Sequence, residues 1–253
     1  MSALAGLRKW YSTIAILIVW QLGSSSHLIP NQILSGPDQV LRSFLQLLSS
    51  GELLKDVAIS LLRALTGLLL ALVIGVSLSL AASLFQRGEE IIDLPVQMAR
   101  ALPFLGLAPL FILWFGIGEI SKIALVTLGA FFPIYINLYA GVRSTDKKLI
   151  EACTLLGLSR WERILHVVLP TAMPSFLVGL RYALSAAWLS LVVAEQINAD
   201  SGIGYLVMQA RDYLRTDTMV VGLAVYAFLG WLSHTMVRQL ETRLLNWRPA
   251  MAR

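Results

Sequence analysis

The segment RSTDKKLIEACTLLGLSRWERILHVVLPTAMP, residues 143–174, is polar, basic and amphipathic, although it lies between two long apolar runs. Its residue types predict two short helices joined by a bend. Asp146 is suited to cap the start of the first helix, and Gly157 is suited to end it in the left-handed conformation that glycine tolerates. Ser159 and Glu162 have the spacing of a capping box, so the second helix is predicted to begin there.

This second helix is predicted to be amphipathic and to end before Pro170, because proline disfavours helical geometry in the residue before it. Its apolar side is formed by Trp161, Ile164, Leu165 and Val168, and its polar side by Arg160, Arg163 and His166. The residues alone leave two interpretations open. The helix could lie on lipid headgroups, or the helix–bend–helix could dock against another protein. The ordered bend and the glutamate beside small residues favour docking.

The composition identifies the class of protein. Of the 253 residues, 57% are hydrophobic and only 14% are charged, and the mean hydropathy is +0.73. Soluble domains average about 25% charged residues, so a polytopic α-helical membrane protein is expected. We attribute the net charge of +5 to basic cytosolic loops in contact with a lipid membrane, and no basic–aromatic patch suggests nucleic acid. A single cysteine excludes an internal disulfide and a multi-cysteine metal site.

Six apolar stretches are predicted to span the membrane, since a spanning helix needs about 20 mainly apolar residues. Their approximate bounds are 10–25, 58–85, 96–117, 119–142, 174–196 and 217–239. The first is interpreted as a retained helix, because no small-residue cleavage site follows it. Lys and Arg are concentrated before the first span, after the second, after the fourth and after the sixth. Basic loops remain cytosolic, so both termini and loop 143–173 are predicted to face the cytosol.

The segment 143–174 resembles the EAA loop of type I ATP-binding-cassette (ABC) importer permeases. Glu151, Ala152, Gly157, Leu169 and Pro170 match the pattern, whereas Cys153 and Val167 replace the usual alanine and isoleucine. Further likeness covers residues 50–67, 98–123, 131–137 and 192–206. Together these stretches resemble the nitrate/sulfonate/taurine branch of the family, and most of all its alkanesulfonate permeases.

The resemblance implies an all-α, MetI-like permease fold with six transmembrane helices, in which residues 1–253 form one transmembrane domain of a bacterial plasma-membrane importer. It implies three partners: separate ABC ATPase subunits that hold ATP and magnesium, a second permease copy in a homodimer, and an extracytoplasmic substrate-binding protein. Loop 143–173 would dock into the ATPase. The residues expected to couple to it are Glu151, Ala152, Gly157, Ser159, Arg160, Trp161, Glu162, Ile164, Leu169 and Pro170.

Enzyme activity in the chain itself is not expected. A nucleotide-binding P-loop needs a lysine after glycine, and none of the five lysines, at positions 9, 55, 122, 147 and 148, follows one. The three histidines, His27, His166 and His234, lie in different regions and suggest no metal site. No Gly-x-Ser-x-Gly motif is present to suggest a serine hydrolase.

Polar residues within or beside the spans are candidates for a transport pathway, because ionisable groups are costly in a membrane. The candidate pathway residues are Gln97, Arg100, Asn137, Arg181, Glu195 and Asn198. For Arg63 and Arg100, snorkelling to the interface or an ion pair within the protein is the favoured explanation. For Arg181 and Glu195 the two explanations are balanced, since span five would line the pathway by family resemblance.

The cargo is left open between aliphatic sulfonates and other small solutes such as taurine, nitrate, bicarbonate or a heterocycle. A different class, an ATP-independent channel or secondary transporter, also remains. It would need no partner-docking loop, so the role of loop 143–173 discriminates between the classes.

Overall fold

The structure is a computed structural model that describes residues 11–26, 30, 33–85 and 87–246. All regular secondary structure in these residues is helical. In chain order the helices are α1 (Tyr11–Ser25), α2 (Pro37–Ser49), α3 (Glu52–Leu84), α4 (Leu94–Arg100), α5 (Phe104–Phe115), α6 (Glu119–Arg143), α7 (Lys147–Leu155), α8 (Arg160–Arg163), α9 (Leu169–Asn198), α10 (Ile203–Asp212) and α11 (Thr216–Leu244). Two π-helical turns, Glu89–Asp93 and Ile164–Val168, directly precede α4 and α9.

Four helical segments in the described residues are long and apolar enough to cross a membrane. They are Glu52–Leu84, Glu119–Arg143, Arg160–Ile197 and Thr216–Leu244. Shorter apolar helices, Ala15–Ser25 and Gly106–Phe115, lie within the first and third predicted spans. The helix of the second predicted span begins at Glu52, six residues before the predicted start at position 58.

The third predicted span is not one continuous helix. Helix α4 ends at Arg100 and α5 begins at Phe104, and Pro103 between them has an extended backbone with φ −67° and ψ 115°. The break follows from Pro103, whose ring disfavours helical geometry at Leu102. Pro109 and Pro133, in contrast, lie inside α5 and α6.

The end predicted for the second cytosolic helix is also wrong. Helical structure continues from Arg160 through the π-helical turn Ile164–Val168 into α9, and Pro170 lies in the first turn of α9. The backbone N–H of Leu169 donates to the carbonyl of Ile164, five residues earlier. We attribute the continuity to this wider turn, because a π turn relieves the crowding between the ring of Pro170 and the preceding turn.

The chain forms two compact units. The first comprises residues up to Ser60 together with Ala199–Ala227. Its core contains Leu47, Leu53, Leu206 and Val221, packed by Val40, Phe44, Val57 and Val225. The N-terminus of α10 is held here by two side chains of α3: Asp56 Oδ1 accepts from Gly202 N at 2.9 Å, and Ser60 Oγ accepts from Ile203 N at 2.9 Å.

The second unit comprises Leu61–Asn198 and residues from Phe228 onward. Its centre is the pairing of α6 with α9. Small residues allow this close approach: a Cβ atom on Gly179 of α9 would lie 2.8 Å from the carbonyl oxygen of Pro133 on α6. The segment predicted to couple to a partner and all but one of the candidate pathway side chains are described within this unit.

Candidate functional site

Helix α7 begins and ends as its sequence predicts. The Asp146 side chain accepts from the backbone N–H of Lys148 at 2.9 Å and caps the first turn. At the other end Gly157 has φ +82°. Gly157 N donates to Thr154 O at 3.0 Å and Leu158 N to Cys153 O at 3.1 Å. These two bonds form a Schellman motif, which turns the chain sharply after α7.

The predicted capping box at the start of α8 is confirmed. Ser159 N donates to Glu162 Oε2 at 2.7 Å, and Glu162 N donates to Ser159 Oγ at 3.3 Å. Each side chain therefore satisfies a backbone donor at the helix start. The hydrogen bonds between Ser159 and Glu162 fix the start of α8, so the helix–bend–helix is defined in large part by local contacts.

Two arginines brace the bend against its surroundings. Arg163 Nη1 lies 2.5 Å from Thr154 Oγ1, which ties α8 to α7. Arg160 Nη2 donates to the carbonyl oxygen of Leu84 at 2.9 Å and so satisfies an acceptor at the C-terminus of α3. At the far end of the segment, Val168 is buried in a cluster with Leu138, Val142 and Ala172. A displacement of α8 would therefore be transmitted to α3, α6 and α9.

The surface of this segment is unusually apolar for a loop. Leu155 is 90% exposed, Leu156 79% and Trp161 71%. Leu149 and Leu165 are also exposed. Clustered apolar side chains on a surface are typical of a protein or membrane contact. We call these five residues, with the helices that carry them, the apolar face of the bend.

The residues predicted to couple to an ATPase are distributed over this bend. Exposed members are Glu151, Ala152, Gly157, Ser159, Arg160, Trp161, Glu162 and Pro170, and half-buried members are Ile164 and Leu169. Cys153, which departs from the EAA pattern, is buried. Leu155 and Leu156 are not among the predicted coupling residues, although their position next to Gly157, at the end of a short helix, indicates an exposed apolar pair.

Four charged side chains in the second unit form an ion-pair cluster. Arg63 Nη2 lies 2.5 Å from Glu119 Oε1, and Arg63 Nη1 lies 2.8 Å from Glu195 Oε1. Lys122 Nζ lies 3.0 Å from the same Glu119 oxygen. Arg63, Lys122 and Glu195 are buried, whereas the Glu119 side chain is 54% exposed. The charges of the two cations and two anions balance. The presence of Arg63 and Glu195 within predicted spans is therefore explained by an ion pair within the protein.

Most other candidate pathway side chains are also paired within the second unit. Arg181 forms an ion pair with Glu241 of α11. Asn137 donates to the carbonyl of Pro133 at 2.8 Å, which satisfies a helix carbonyl near a proline. Gln97 donates weakly to Asp93 at 3.4 Å. The side chain of Asn198 lies outside the described residues. Each of the three described side chains therefore has a partner of its own within the protein.

Arg100 differs, because it lines a cleft of about 390 Å³. Nine apolar residues or glycine accompany it, and the other polar residue is Ser190; the lining is Leu102, Phe104, Leu107, Leu128, Gly129, Phe132, Ala186, Leu189, Ser190 and Val193. The cleft is formed by the break between α4 and α5 together with α6 and α9. We call it the Arg100 cleft.

Residues 67–246 match the model of the family described as the binding-protein-dependent transport system inner membrane component. The chain belongs to this family. It is accordingly an inner-membrane component of an ABC transporter, and the long apolar helices and the bend belong to a transport permease.

Two relatives from Escherichia coli K12 extend this assignment over almost the whole chain. One is a permease protein named for aliphatic sulfonates transport, 46% identical over 241 residues, which covers 95% of this chain and 92% of the relative. The other is a taurine transport system permease protein, 36% identical over 241 residues, with coverage of 93% and 88%. A second permease protein named for aliphatic sulfonates transport, from Bacillus subtilis 168, is 41% identical over 233 residues and covers 92% and 84%.

Solved structures confirm the fold class. The MetNI methionine ABC transporter matches with a TM-score of 0.62 at 19% identity, over 78% of this chain and 97% of that chain. An amino acid ABC transporter crystallised with histidines matches with a TM-score of 0.65 at 15% identity, over 79% and 98%. The fold is therefore the all-α, polytopic fold of MetI-like permeases.

Proposed function

We propose that the chain is the permease subunit of an ATP-driven importer of aliphatic sulfonates. The observation that carries this proposal is the likeness to two permease proteins named for aliphatic sulfonates transport, at 46% and 41% identity over more than nine-tenths of the chain. The taurine permease is less similar, at 36%. Taurine is itself a sulfonate with an added amino group, so it is the natural competitor to test.

The bend formed by α7 and α8 is the proposed contact with a separate ATPase subunit, which binds ATP and magnesium. Its support is physical. The bend is stiffened by two caps and two arginine contacts, and it presents Leu155, Leu156 and Trp161 to solvent. A stiff element with an exposed apolar surface suits protein docking better than a headgroup-bound amphipathic helix, which needs one continuous apolar stripe.

In this mechanism the permease has two states, and the nucleotide on the partner selects between them. ATP binding brings two cytosolic ATPase subunits together and moves the bend of each permease copy in a homodimer. The movement passes to α3, α6 and α9 through Val168, Leu84 and their neighbours. Both termini lie in the cytosol, and an extracytoplasmic binding protein delivers the substrate to the other side.

Uptake in proteoliposomes tests the cargo. Permease and ATPase subunits are reconstituted with ATP inside and the binding protein outside, and uptake of radiolabelled ethanesulfonate and taurine is compared at equal concentration. Faster, ATP-dependent ethanesulfonate uptake is expected. Uptake of taurine alone would reassign the cargo, and equal ethanesulfonate uptake without ATP would favour a channel or secondary transporter.

A pair of matched substitutions tests the docking surface. Leu156→Ser should lower co-purification of the ATPase and uptake by about tenfold or more, because it places a hydroxyl in an apolar contact. Ile117→Ser is the control, since Ile117 is 85% exposed between α5 and α6, away from the bend. If Leu156→Ser leaves ATPase binding unchanged but weakens the contact of the bend with the lipid headgroups of liposomes, α8 is a headgroup-bound helix and the docking proposal is wrong.

A further inference from the structure

The Arg100 cleft carries a cation that no other described group neutralises. The guanidinium makes no hydrogen bond or ion pair with the described residues, in contrast to Arg63 and Arg181, which are both paired. The cleft around it is nearly all apolar. Arg100 is an exposed side chain at this cleft, so its guanidinium can contact an anion there without breaking an existing ion pair.

Ser190 provides a second polar contact. The residue is only 4% exposed and lines the cleft, and its hydroxyl makes no hydrogen bond with the described residues. A buried serine in a helix ordinarily donates to a carbonyl one turn back, as Ser233 does to Leu229 at 2.8 Å. The Ser190 hydroxyl makes no such bond and can therefore donate to a ligand in the cleft.

Gly129 makes room for this hydroxyl. A Cβ atom on Gly129 would lie 2.0 Å from Ser190 Oγ and 3.0 Å from Ser190 Cβ. Any side chain at this position of α6 would therefore displace Ser190. The position of the Ser190 hydroxyl on α9 therefore depends on glycine at position 129 of α6.

The broken helix adds a third favourable feature. Helix α5 begins at Phe104, which lines the cleft, and no side chain caps its first turn. The N-terminus of a helix carries partial positive charge. Arg100 and the start of α5 therefore both favour negative charge in the cleft, while the leucine, phenylalanine and valine side chains favour an alkyl group.

We propose that the Arg100 cleft binds a small oxyanion with a short alkyl chain, with Arg100 and Ser190 on the anionic group and the apolar wall around the chain. The inference rests on the proposed import of aliphatic sulfonates, which have this chemistry. The volume of about 390 Å³ falls within the range of roughly 300–1,000 Å³ that is usual for small-molecule sites. The permease would thus select its cargo itself, in addition to any selection by the binding protein.

Direct binding tests the site. Full-length permease with its ATPase subunits is placed in phosphatidylethanolamine nanodiscs without binding protein, and equilibrium binding of radiolabelled butanesulfonate is measured. Unlabelled methane-, propane- and pentanesulfonate compete. Affinity should rise by about fourfold for each added methylene, because each buried methylene contributes about 0.8 kcal/mol. Butylammonium should not compete.

Variants identify the residues. Arg100→Gln should weaken binding by about tenfold or more, and Ser190→Ala by about threefold to tenfold, because hydrogen bonds to charged groups are the stronger ones. Arg100→Lys should retain part of the affinity. Arg42→Gln, outside the cleft, is the control. Co-purification of the ATPase and a single size-exclusion peak establish that each variant is folded.

Three results would overturn the proposal: wild-type affinity in both Arg100→Gln and Ser190→Ala, affinity that does not depend on chain length, or displacement of butanesulfonate by added phosphatidylglycerol, which would make the cleft a lipid site. Uptake separates the two proposals. If wild-type proteoliposomes import butanesulfonate and Arg100→Gln imports it equally well, the site is wrong and the proposed function stands. If wild type imports no sulfonate, the proposed function fails.

Discussion

Arg63 and Glu195 form an ion pair, with Nη1 and Oε1 2.8 Å apart and side-chain exposures of 2% and 0%. They are 132 positions apart in sequence, and the pair joins α3 to the end of α9. Arg63 also contacts Glu119 at the start of α6. One guanidinium therefore holds three helices together at one end of the second unit.

Removing both members of this pair should cost less than the sum of the two single losses. Arg63→Met leaves the buried Glu195 carboxylate without this cation, and such losses are about 3–5 kcal/mol. Glu195→Leu should cost less, because Arg63 keeps Glu119. The double variant should be more stable than the sum of the single losses predicts. Thermal unfolding of the purified protein in detergent, with Arg211→Met as the exposed control, measures each difference. Strictly additive losses would contradict the coupling.

A second prediction concerns the first unit, where α11 approaches α10 at Gly222. A Cβ atom there would lie 2.4 Å from Val207 Cγ2, and the next nearest atoms are 3.8 Å away. Gly222→Ala should therefore destabilise the protein by about 1–3 kcal/mol through overpacking.

Val207→Ala should relieve this clash. Alone, it should cost roughly 1–3 kcal/mol, because it leaves a cavity at a residue that is only 6% exposed. In the double variant, the methyl group added by Gly222→Ala occupies the space that Val207→Ala leaves. The double variant should therefore be more stable than the sum of the two single losses predicts. Unfolding midpoints of the four proteins measure the coupling, and an additive double variant would show that Val207 is not the obstacle.

The capping box at Ser159 and Glu162 and the glycine turn at Gly157 were predicted from sequence because their partners are at most five residues apart. The side chains and the backbone groups they satisfy lie within one or two turns of each other along the chain. Length and hydropathy likewise placed the long apolar helices. Local geometry of this kind is set by residue type and spacing.

The other features depend on distant residues. Arg63 pairs with Glu195, which lies more than a hundred positions away, and the position of the Ser190 hydroxyl depends on the missing side chain at Gly129 of another helix. A helix is interrupted at Pro103, whereas helical structure continues through Pro170, Pro109 and Pro133, and of these four prolines only Pro170 closely follows a π turn. The sequence singles out Arg63 and Pro170 but not Ser190, and it does not show which distant residues any of them contacts.

Gly157 should be sensitive to conformation rather than to space. Its φ is +82°, and an added Cβ would meet nothing within 4 Å. Left-handed geometry costs other residues about 1–2 kcal/mol, and asparagine tolerates it best. Uptake should therefore be highest in Gly157→Asn, lower in Gly157→Ala and lowest in Gly157→Val, while the amount of membrane-inserted protein stays constant.

Gly118→Ala is the matched control for this series. Gly118 also has open space around it, but its φ of 166° is an extended conformation that any residue adopts. It should leave uptake at the wild-type level. Equal loss of uptake in Gly118→Ala and Gly157→Ala would refute a special role for the turn after α7.

The start of α10 should depend on a carboxylate from α3. Asp56 is 6% exposed and accepts from Gly202 N at 2.9 Å, so this backbone donor is buried with it. Asp56→Ala should lose about 1–3 kcal/mol, because it leaves the Gly202 donor without this acceptor. Asp56→Asn keeps a carbonyl oxygen and should lose less. Hydrogen–deuterium exchange of residues 202–206 measures the effect locally: exchange should quicken in Asp56→Ala and remain slow in α7. Equal quickening in both helices would indicate global unfolding and contradict a local role for this carboxylate.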